Sequence, residues 1–352
     1  METTDRITYD SVGISTGKDK ADYIGLSELL KTEDRHVLNG LGPFASLYDF
    51  NAKAKELGIF DPLLVLKIEE PGTKQLLAKQ FGYSHTIGHD VINHLVNDIM
   101  VMGAVPLAVL DCIVRGAEDD QSSNALIKGF AEACKNNGCS LIGGETSNQP
   151  GVMDKDVYVL SASVAGVVGR GKVIDGSKIK AGDIILAVSS NGLHTNGYTL
   201  ARKLMELDPP LKNYLINGET FLEHIMRPHT SYYKAVSGLL DKNIISGMAH
   251  ITGGGIAGNL KRIIKGVSAE IDLSKLQTLP IFEEIQKRSN ALEEEMLKTF
   301  NCGIGLIVIT PQESADEVIK HISQFHNIYE IGVITKERTQ PVVFKGKTKW
   351  SK

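Results

Sequence analysis

The sequence is poor in cysteine and tryptophan and has no long apolar run. Its 352 residues include one tryptophan and four cysteines, Cys112, Cys134, Cys139 and Cys302. None of the cysteines forms a CxxC pair, so neither a disulfide framework nor a structural zinc site is predicted. No stretch approaches the roughly 20 apolar residues of a membrane helix, and the polar start has no signal-peptide core. We therefore expect a cytoplasmic protein in a reducing compartment.

The sequence also lacks an excess of either charge. Its 38 basic and 42 acidic residues give a formal net charge of -4, which predicts no general affinity for nucleic acid or membranes. No repeat of fixed period is present. The length suggests two domains, and a segment rich in glycine and charge follows Gly169. Mixed strand and helix patterns predict an α+β fold with domains 1–169 and 170–352.

One predicted helix carries polar side chains on an otherwise apolar pattern. It begins near Gly88, and apolar residues recur at helical spacing: Val91, Ile92, Leu95, Val96, Ile99 and Met100. Asp90, His94 and Asn97 share one stripe, with Asp98 beside it. This stripe is either a solvated edge of the helix or part of a ligand site.

Two strand ends in the first half place acids beside glycines. Strand 62–68 runs into Glu69-Glu70-Pro71-Gly72-Thr73-Lys74, which precedes a helix over 75–80. This corner suits phosphate or a metal, although a capped helix alone would also explain it. Strand 140–142 leads to Gly143-Gly144-Glu145-Thr146, where glycines admit a close backbone approach and Glu145 is placed for a metal. A plain turn is the alternative.

Two loops in the second half are candidates for substrate binding. Strand 184–189 is followed by a polar loop with His194, a candidate catalytic imidazole, although an isolated loop histidine is more often a surface residue. Thr252 and the three glycines 253–255 follow a second strand and precede a helix. Consecutive glycines at a helix start favour an oxyanion or phosphate nest.

Taken in order, these segments resemble the phosphoribosylformylglycinamidine cyclo-ligase family, also called aminoimidazole ribonucleotide synthetases. Asp98-x4-Gly103-Ala104-x-Pro106 is similar to an element of the wider superfamily of ATP-dependent synthetases and kinases. The resemblance is carried by Thr8-Tyr9, 39–44, Gly72-Thr73-Lys74, Thr86-Ile87-Gly88 with Asp90, 97–106, Leu110-Asp111, 143–146, Pro150-Gly151, 192–198, 250–255 and 299–305.

The resemblance implies a homodimer in which the N-terminal sheets pair into a shared barrel, with a C-terminal α+β domain on each. It implies ATP and Mg²⁺ as cofactors and a small ribonucleotide substrate. The implied catalytic residues are His194, Lys74 and Asp98. The implied ATP contacts are Gly72, Thr73, Lys74, Asp90, Asn97, Asp98, Gly143, Gly144 and Glu145. The implied substrate contacts are His194, Asn196, Thr252, Gly253, Gly254 and Gly255. The implied magnesium ligands are Glu69, Asp98 and Glu145.

The chemistry of ring closure explains why such residues would be needed. An amine must displace a formyl oxygen, which leaves easily only after the γ-phosphoryl of ATP is transferred to it. Phosphoryl transfer needs charge neutralisation and alignment, which magnesium carboxylates and a lysine such as Lys74 supply. His194 would donate a proton or a hydrogen bond to the activated oxygen, and no covalent nucleophile is required.

The chain departs from the family pattern near the implied site. Glu69 and Glu70 replace the usual Asp-Gly, and a lysine of the N-terminal arm falls opposite Leu26 or Ser27. Residues 147–149 and Gly116-Ala117 also depart from the family pattern. Lys18, Lys20 and Lys31 are the candidates to replace the missing lysine. Two rival functions therefore stay open: a superfamily relative that phosphorylates another small substrate, and a paralogue that binds nucleotide without turnover.

Overall fold

A computed structural model describes residues 34–39, 44–117 and 119–350. The expectations about the N-terminal arm, including Thr8-Tyr9 and the position opposite Leu26 or Ser27, lie outside these residues. Most of the glycine-rich turn predicted at 39–44 also lies outside them.

The described residues up to Gly169 form one four-stranded sheet with helices against it. Its elements are α1 (Phe50–Glu56), β1 (Pro62–Glu69), α2 (Lys74–Phe81), α3 (Ser84–Met100), β2 (Val105–Arg115), α4 (Asp120–Asn136), β3 (Ser140–Asn148) and β4 (Tyr158–Gly169). The strand order is β1-β4-β2-β3, and β2 and β3 are the parallel pair.

The remaining chain forms a six-stranded sheet, a small hairpin and surrounding helices. Its strands are β5 (Ile184–Ser189), β6 (Leu215–Ile216), β7 (Glu219–Thr220), β8 (Gly247–His250), β9 (Val267–Asp272), β10 (Ile304–Thr310), β11 (Ile328–Lys336) and β12 (Val342–Lys345). Its α-helices are α5 (Tyr198–Leu207), α6 (Phe221–Met226), α7 (Tyr233–Ser237), α8 (Gly255–Leu260), α9 (Pro280–Ser289), α10 (Glu293–Thr299) and α11 (Ala315–Ile322). The order of the large sheet is β12-β9-β11-β5-β10-β8.

The apolar face of α3 is buried, as its periodicity predicts, although the helix starts four residues earlier than expected. Its packing against α4 depends on two glycines that face each other at the crossing. A Cβ on Gly88 would lie 2.7 Å from the Leu126 carbonyl oxygen, and one on Gly129 would lie 2.1 Å from that of His85. The close crossing fixes the position of α3 and, with it, that of its polar stripe.

The segment Gly143-Gly144-Glu145-Thr146 is not a turn. β3 continues through it to Asn148, because β2 supplies a parallel hydrogen-bonding partner along the whole segment. In the resulting register Glu69, Ala162, Asp111 and Gly144 lie side by side across the four strands. The pairing therefore brings the acidic end of β1 into one row with the middle of β3.

The two sheets share a continuous hydrophobic core. One cluster of buried side chains includes Ile99 and Val168 from the first half and Ile185 from the second. Met100, at the end of α3, packs into a further cluster with Tyr232 of the second half. Across the described ranges, no helix is both long and apolar enough to cross a membrane.

Candidate functional site between the two sheets

The buried end of the polar stripe on α3 holds the two halves together. Asp90 and Lys74 are both fully buried, and Lys74 Nζ lies 2.8 Å from the Asp90 carboxylate. The Lys74 ammonium also donates to the carbonyl oxygens of His194 and Arg227. Burial lowers the pKa of Lys74, and burial raises the pKa of Asp90 to about 6 despite the nearby ammonium. This placement does not support the expected contact of Lys74 with phosphate.

Asparagines on α3 form further hydrogen bonds between the two halves. Asn97, also fully buried, donates to the Thr230 carbonyl oxygen at 2.8 Å and accepts from the Tyr232 amide at 2.9 Å. Asn93 donates to the His229 carbonyl oxygen, and the His229 amide donates to Asp90. Asp90 and Asn97 therefore form hydrogen bonds with the backbone of residues 229–232. The sequence had suggested either a solvated helix edge or a ligand site for this stripe, and neither interpretation included such contacts between the two halves.

The acids Glu69 and Asp98 meet at the end of β1. Lys67 Nζ lies 2.9 Å from Glu69 Oε2 and 3.2 Å from Asp98 Oδ2, so both carboxylates contact one cation. Glu70 turns away, because its carboxylate accepts from the Gly72 amide at 2.8 Å. Of the two adjacent acids, Glu69 is therefore the one that can act with Asp98.

A histidine from the second half supports Asp98. His250 Nδ1 donates to Asp98 Oδ1 at 2.7 Å. Burial would raise the pKa of Asp98, but this hydrogen bond and the charges of His250 and Lys67 outweigh it and hold the pKa well below its ordinary range. Asp98 is thus an ionised carboxylate with one oxygen fixed and the other beside Lys67.

His94 lies against the same carboxylates. Its Nε2 is 3.6 Å from Glu69 Oε2 and 3.8 Å from Asp98 Oδ2, and its Nδ1 is 3.1 Å from Thr195 Oγ1. Burial lowers the pKa of His94 to about 4, and His250 adds to the effect. His94 is therefore neutral near pH 7.

His194 is buried behind this group of side chains. Its ring stacks on His229 with 4.0 Å between centroids, and neither ring nitrogen has a hydrogen-bond partner among the described residues. Its φ of +61° is in the left-handed region, which is uncommon for a residue other than glycine. Burial, followed by the charges of His250 and Lys74, holds the pKa of His194 well below its ordinary value. Both polar atoms of this buried imidazole therefore lack the hydrogen-bond partners that buried polar groups usually have.

Gly144 in the middle of β3 lies directly against an acid of β2. A Cβ on Gly144 would lie 2.1 Å from Asp111 Oδ1, so the glycine makes room for this carboxylate. Burial, together with the charge of Glu145, raises the pKa of Asp111 to about 7. Glu145 itself is exposed, and Gly143 lies beside Ser46.

The glycine corner after β8 faces the His194 loop. Asn196 Oδ1 lies so close to Gly253 that a Cβ there would be 3.1 Å away, while Gly253 and Gly254 are exposed. Thr252 precedes them and is half-buried. Gly72 approaches the same loop, because a Cβ on it would lie 3.4 Å from the Thr195 carbonyl oxygen; Thr73 follows it, half-buried. The two glycine segments for which phosphate contacts were expected therefore both lie beside the His194 loop.

Several residues of this site, His250 among them, were absent from the sequence-based assignment. Lys67 points inward from β1, on the face opposite its exposed neighbours, and strand alternation could have indicated this. His94 stood on the polar stripe without an assigned role. His229 lies in an irregular segment, where no periodic pattern marked it.

The chain is similar throughout to one group of proteins. Residues 61–168 match the family described as AIR synthase related protein, N-terminal domain, and residues 180–345 match its C-terminal domain. A phosphoribosylformylglycinamidine cyclo-ligase from Neisseria gonorrhoeae is 40% identical over 311 residues, which cover 88% of this chain and 89% of the relative. One from Paraburkholderia xenovorans is 38% identical over 306 residues, which cover 86% and 85%.

Solved structures with lower identity share the fold. A thiamine-monophosphate kinase from Stenotrophomonas maltophilia gives a TM-score of 0.67 at 19% identity and covers 95% of this chain and 98% of its own. The hydrogenase maturation protein HypE in complex with ATP gives 0.66 at 16% identity and covers 94% and 92%. These two similarities establish the architecture alone.

Proposed function

Since the chain belongs to the phosphoribosylformylglycinamidine cyclo-ligase family, we propose that its interdomain site closes the imidazole ring of formylglycinamidine ribonucleotide at the expense of ATP. The products are aminoimidazole ribonucleotide, ADP and phosphate, as in purine biosynthesis. The observation that carries the assignment to this site is the meeting of Glu69, Asp98 and Lys67 beside the His194 loop and the glycine corner.

In the proposed reaction the formyl oxygen attacks the γ-phosphorus of ATP and releases ADP. The ring-forming amine then attacks the same formyl carbon, and the oxygen leaves within inorganic phosphate. Magnesium bound by Glu69 and Asp98 would neutralise the phosphate charge. Lys67, which lies beside both acids, takes the phosphate-neutralising role expected of Lys74. Glu145 remains a proposed ligand from the neighbouring strand.

The remaining site residues fall into two groups. Gly72, Thr73, Gly143 and Gly144 belong to the proposed ATP side, where backbone amides can approach phosphates. Asp90, Asn97 and Lys74 hold the second half in place behind them. The ribonucleotide is proposed to meet His194, Asn196, Thr252 and the glycines 253–255. A neutral His194 can donate or accept a hydrogen bond but does not supply a positive charge.

We further propose a homodimer built on the outer face of the first sheet, with the domain division at residue 170. Leu64, Leu66, Ile68 and Leu110 are each 45–69% exposed on that face, a larger apolar patch than isolated surface residues produce. A second copy laid sheet to sheet would cover the patch and form a shared barrel. Four free cysteines support the proposal of a reducing compartment such as the cytoplasm.

The test is turnover of purified full-length chain with ATP, magnesium and formylglycinamidine ribonucleotide. Aminoimidazole ribonucleotide and ADP should form in equal amounts, and neither should form when the ribonucleotide is omitted. ADP formation with a different phosphate acceptor and no ring product would indicate a kinase relative. Nucleotide binding without turnover would indicate the non-catalytic paralogue.

A further inference from the structure

Helices α3 and α4 carry three potential metal ligands outside the interdomain site. We propose that His85, His89 and Glu132 bind a Zn²⁺ ion at the crossing of these two helices. The ion would connect the start of α3 to α4 and keep one coordination position open for water. This inference is independent of the proposed function, because none of the three residues takes part in it.

The spacing of the two histidines places them on one face of α3. They are four positions apart in the helix, so one lies above the other at a distance of one turn. Their ring centroids are 5.1 Å apart and the ring planes make an angle of 64°. The rings are therefore not stacked, and one nitrogen of each can face a common ion. Two histidines at this spacing on one helix are a known arrangement for zinc.

Glu132 of α4 supplies a carboxylate to the same place. Its Oε2 lies 2.9 Å from His85 Nε2 and 3.5 Å from His89 Nε2. One potential ligand atom from each of the three residues lies within 4.8 Å of the other two. Ligand atoms of a tetrahedral zinc ion, each about 2.1 Å from the metal, are about 3.4 Å apart. The longer contact already has this length, and the shorter one must open by about half an ångström.

The hydrogen bond between His85 and Glu132 is compatible with metal binding. Without metal, His85 Nε2 carries the proton that it donates to the carboxylate. When zinc takes the Nε2 lone pair, the neutral imidazole carries its proton at Nδ1 instead. The two side chains are 40% and 43% exposed, so water can accept that proton in a hydrogen bond. Lys128 contacts the other carboxylate oxygen, Oε1, at 3.9 Å and leaves Oε2 to the ion.

The close crossing of α3 and α4 fixes the ligands before an ion binds. Gly88 stands between the two histidines, and Gly129 lies one turn before Glu132. A Cβ on Gly129 would lie 2.1 Å from the His85 carbonyl oxygen and 3.3 Å from Gly88 Cα. The two backbones are therefore in direct contact and cannot slide without loss of packing. Only side chains need to move when zinc binds, which keeps the entropic cost of ordering the site low.

The buried imidazoles of the interdomain site suit zinc less well. His194 and His229 are stacked with an interplanar angle of 23°, so their lone pairs lie in nearly parallel planes. The two groups of potential ligands in that region share His250. Its Nδ1 donates to Asp98, and its Nε2 forms a hydrogen bond with His229 Nε2. Both nitrogens of the shared residue are thus already occupied.

The test is a titration of the metal-free, full-length chain with Zn²⁺ in competition with a chromogenic chelator of known zinc affinity. We expect saturable binding and, at saturation, a melting temperature raised by about 2 °C or more. His85→Gln/His89→Gln should weaken binding by about a hundredfold or more, because loss of an outer partner alone typically costs about 10- to 100-fold. His250→Gln is the control: it removes a member of both buried groups and should leave the affinity unchanged.

The position of the ion can also be determined without any substitution. A crystal of the unsubstituted chain grown with Zn²⁺ should give an anomalous difference peak about 2.1 Å from one nitrogen of each histidine and from a Glu132 oxygen. A peak beside His250 instead would overturn the inference. So would the absence of saturable binding, or unchanged affinity in His85→Gln/His89→Gln whose circular dichroism shows it to be folded.

Discussion

Lys74 and Asp90 form an ion pair with 2.8 Å between the ammonium and the carboxylate, and both side chains are fully buried between the two sheets. The pair connects α2 to α3, and its remaining hydrogen bonds reach the backbone of the second half at His194 and Arg227. A charged pair at this depth is stable only while every partner is present.

Removal of one partner should therefore destabilise the protein. Lys74→Met leaves the Asp90 carboxylate buried without its counter-charge, and we expect a loss of about 3–5 kcal/mol in the free energy of unfolding. Urea denaturation measures it. The control Lys298→Met breaks an exposed pair with Glu294 and should cost below about 0.5 kcal/mol. Equal losses in both variants would contradict the role of Lys74 in holding the two halves together.

Acid should weaken the fold through the buried imidazoles. Burial lowers the pKa of His94 to about 4 and lowers those of His194 and His229 as well. In the unfolded chain these residues bind protons near about pH 6.5, so stability is full above that pH and is lost as the pH falls toward 4. The free energy of unfolding should decline from about pH 7 to pH 5 by up to about 1.4 kcal/mol per pH unit for each histidine.

The same urea titrations on His94→Gln/His229→Gln should show a shallower pH dependence. Asp90 and Asp111, whose pKa values are raised to about 6 and about 7, act in the opposite direction, but they are two groups against three. A stability that stays constant over this pH range would refute the neutral state of the buried histidines.

Helix α8 should tolerate alanine at Gly258 but not at Gly255, the last residue of the glycine corner. Gly255 has a φ of +61°, and a Cβ on it would lie 1.8 Å from the Leu297 carbonyl oxygen. Gly255→Ala should cost about 2 kcal/mol or more and weaken ribonucleotide binding. Gly258→Ala meets nothing within 4 Å and should be neutral or stabilising by up to about 1 kcal/mol. Calorimetric unfolding compares them, and similar melting temperatures would contradict the predicted overlap.

A charge on the outer face of the first sheet should separate the proposed dimer. Leu66 is 69% exposed there, and Leu66→Glu would place a carboxylate in an apolar interface. Light scattering at micromolar concentration should show a monomer with unchanged circular dichroism. Leu207→Glu, at a residue of similar exposure in the second half, should remain dimeric. A monomeric unsubstituted chain would rule out the dimer.

Asp98→Asn should abolish turnover while the fold remains. The substitution removes one negative charge from the proposed metal site and replaces the carboxylate that holds His250 with a neutral amide, and we expect a loss of about a hundredfold or more in kcat. Glu69→Gln should behave similarly, whereas Glu70→Gln should not, because Glu70 bonds to its own loop. If Asp98→Asn kept most of its turnover, Asp98 would have a structural role.

Local pattern predicted much of the fold. The strand at Ile184–Ser189 is confirmed with its predicted bounds, and the apolar stripe of α3 is buried as its spacing indicated. The strand predicted at 140–142 was wrongly ended before the Gly-Gly segment, because only pairing with β2 extends it to Asn148. The burial of Lys74 and the place of His229 depend on contacts more than 100 positions apart, which no local pattern contains.

The most direct measurement follows the formyl oxygen. Formylglycinamidine ribonucleotide labelled with heavy oxygen at the formyl group is incubated with ATP, and the phosphate is analysed by mass spectrometry. If the oxygen is phosphorylated before ring closure, each phosphate should carry one labelled atom, with one ADP and one ring formed and no AMP. Label released into water instead, or ADP formed without a ring, would contradict the account.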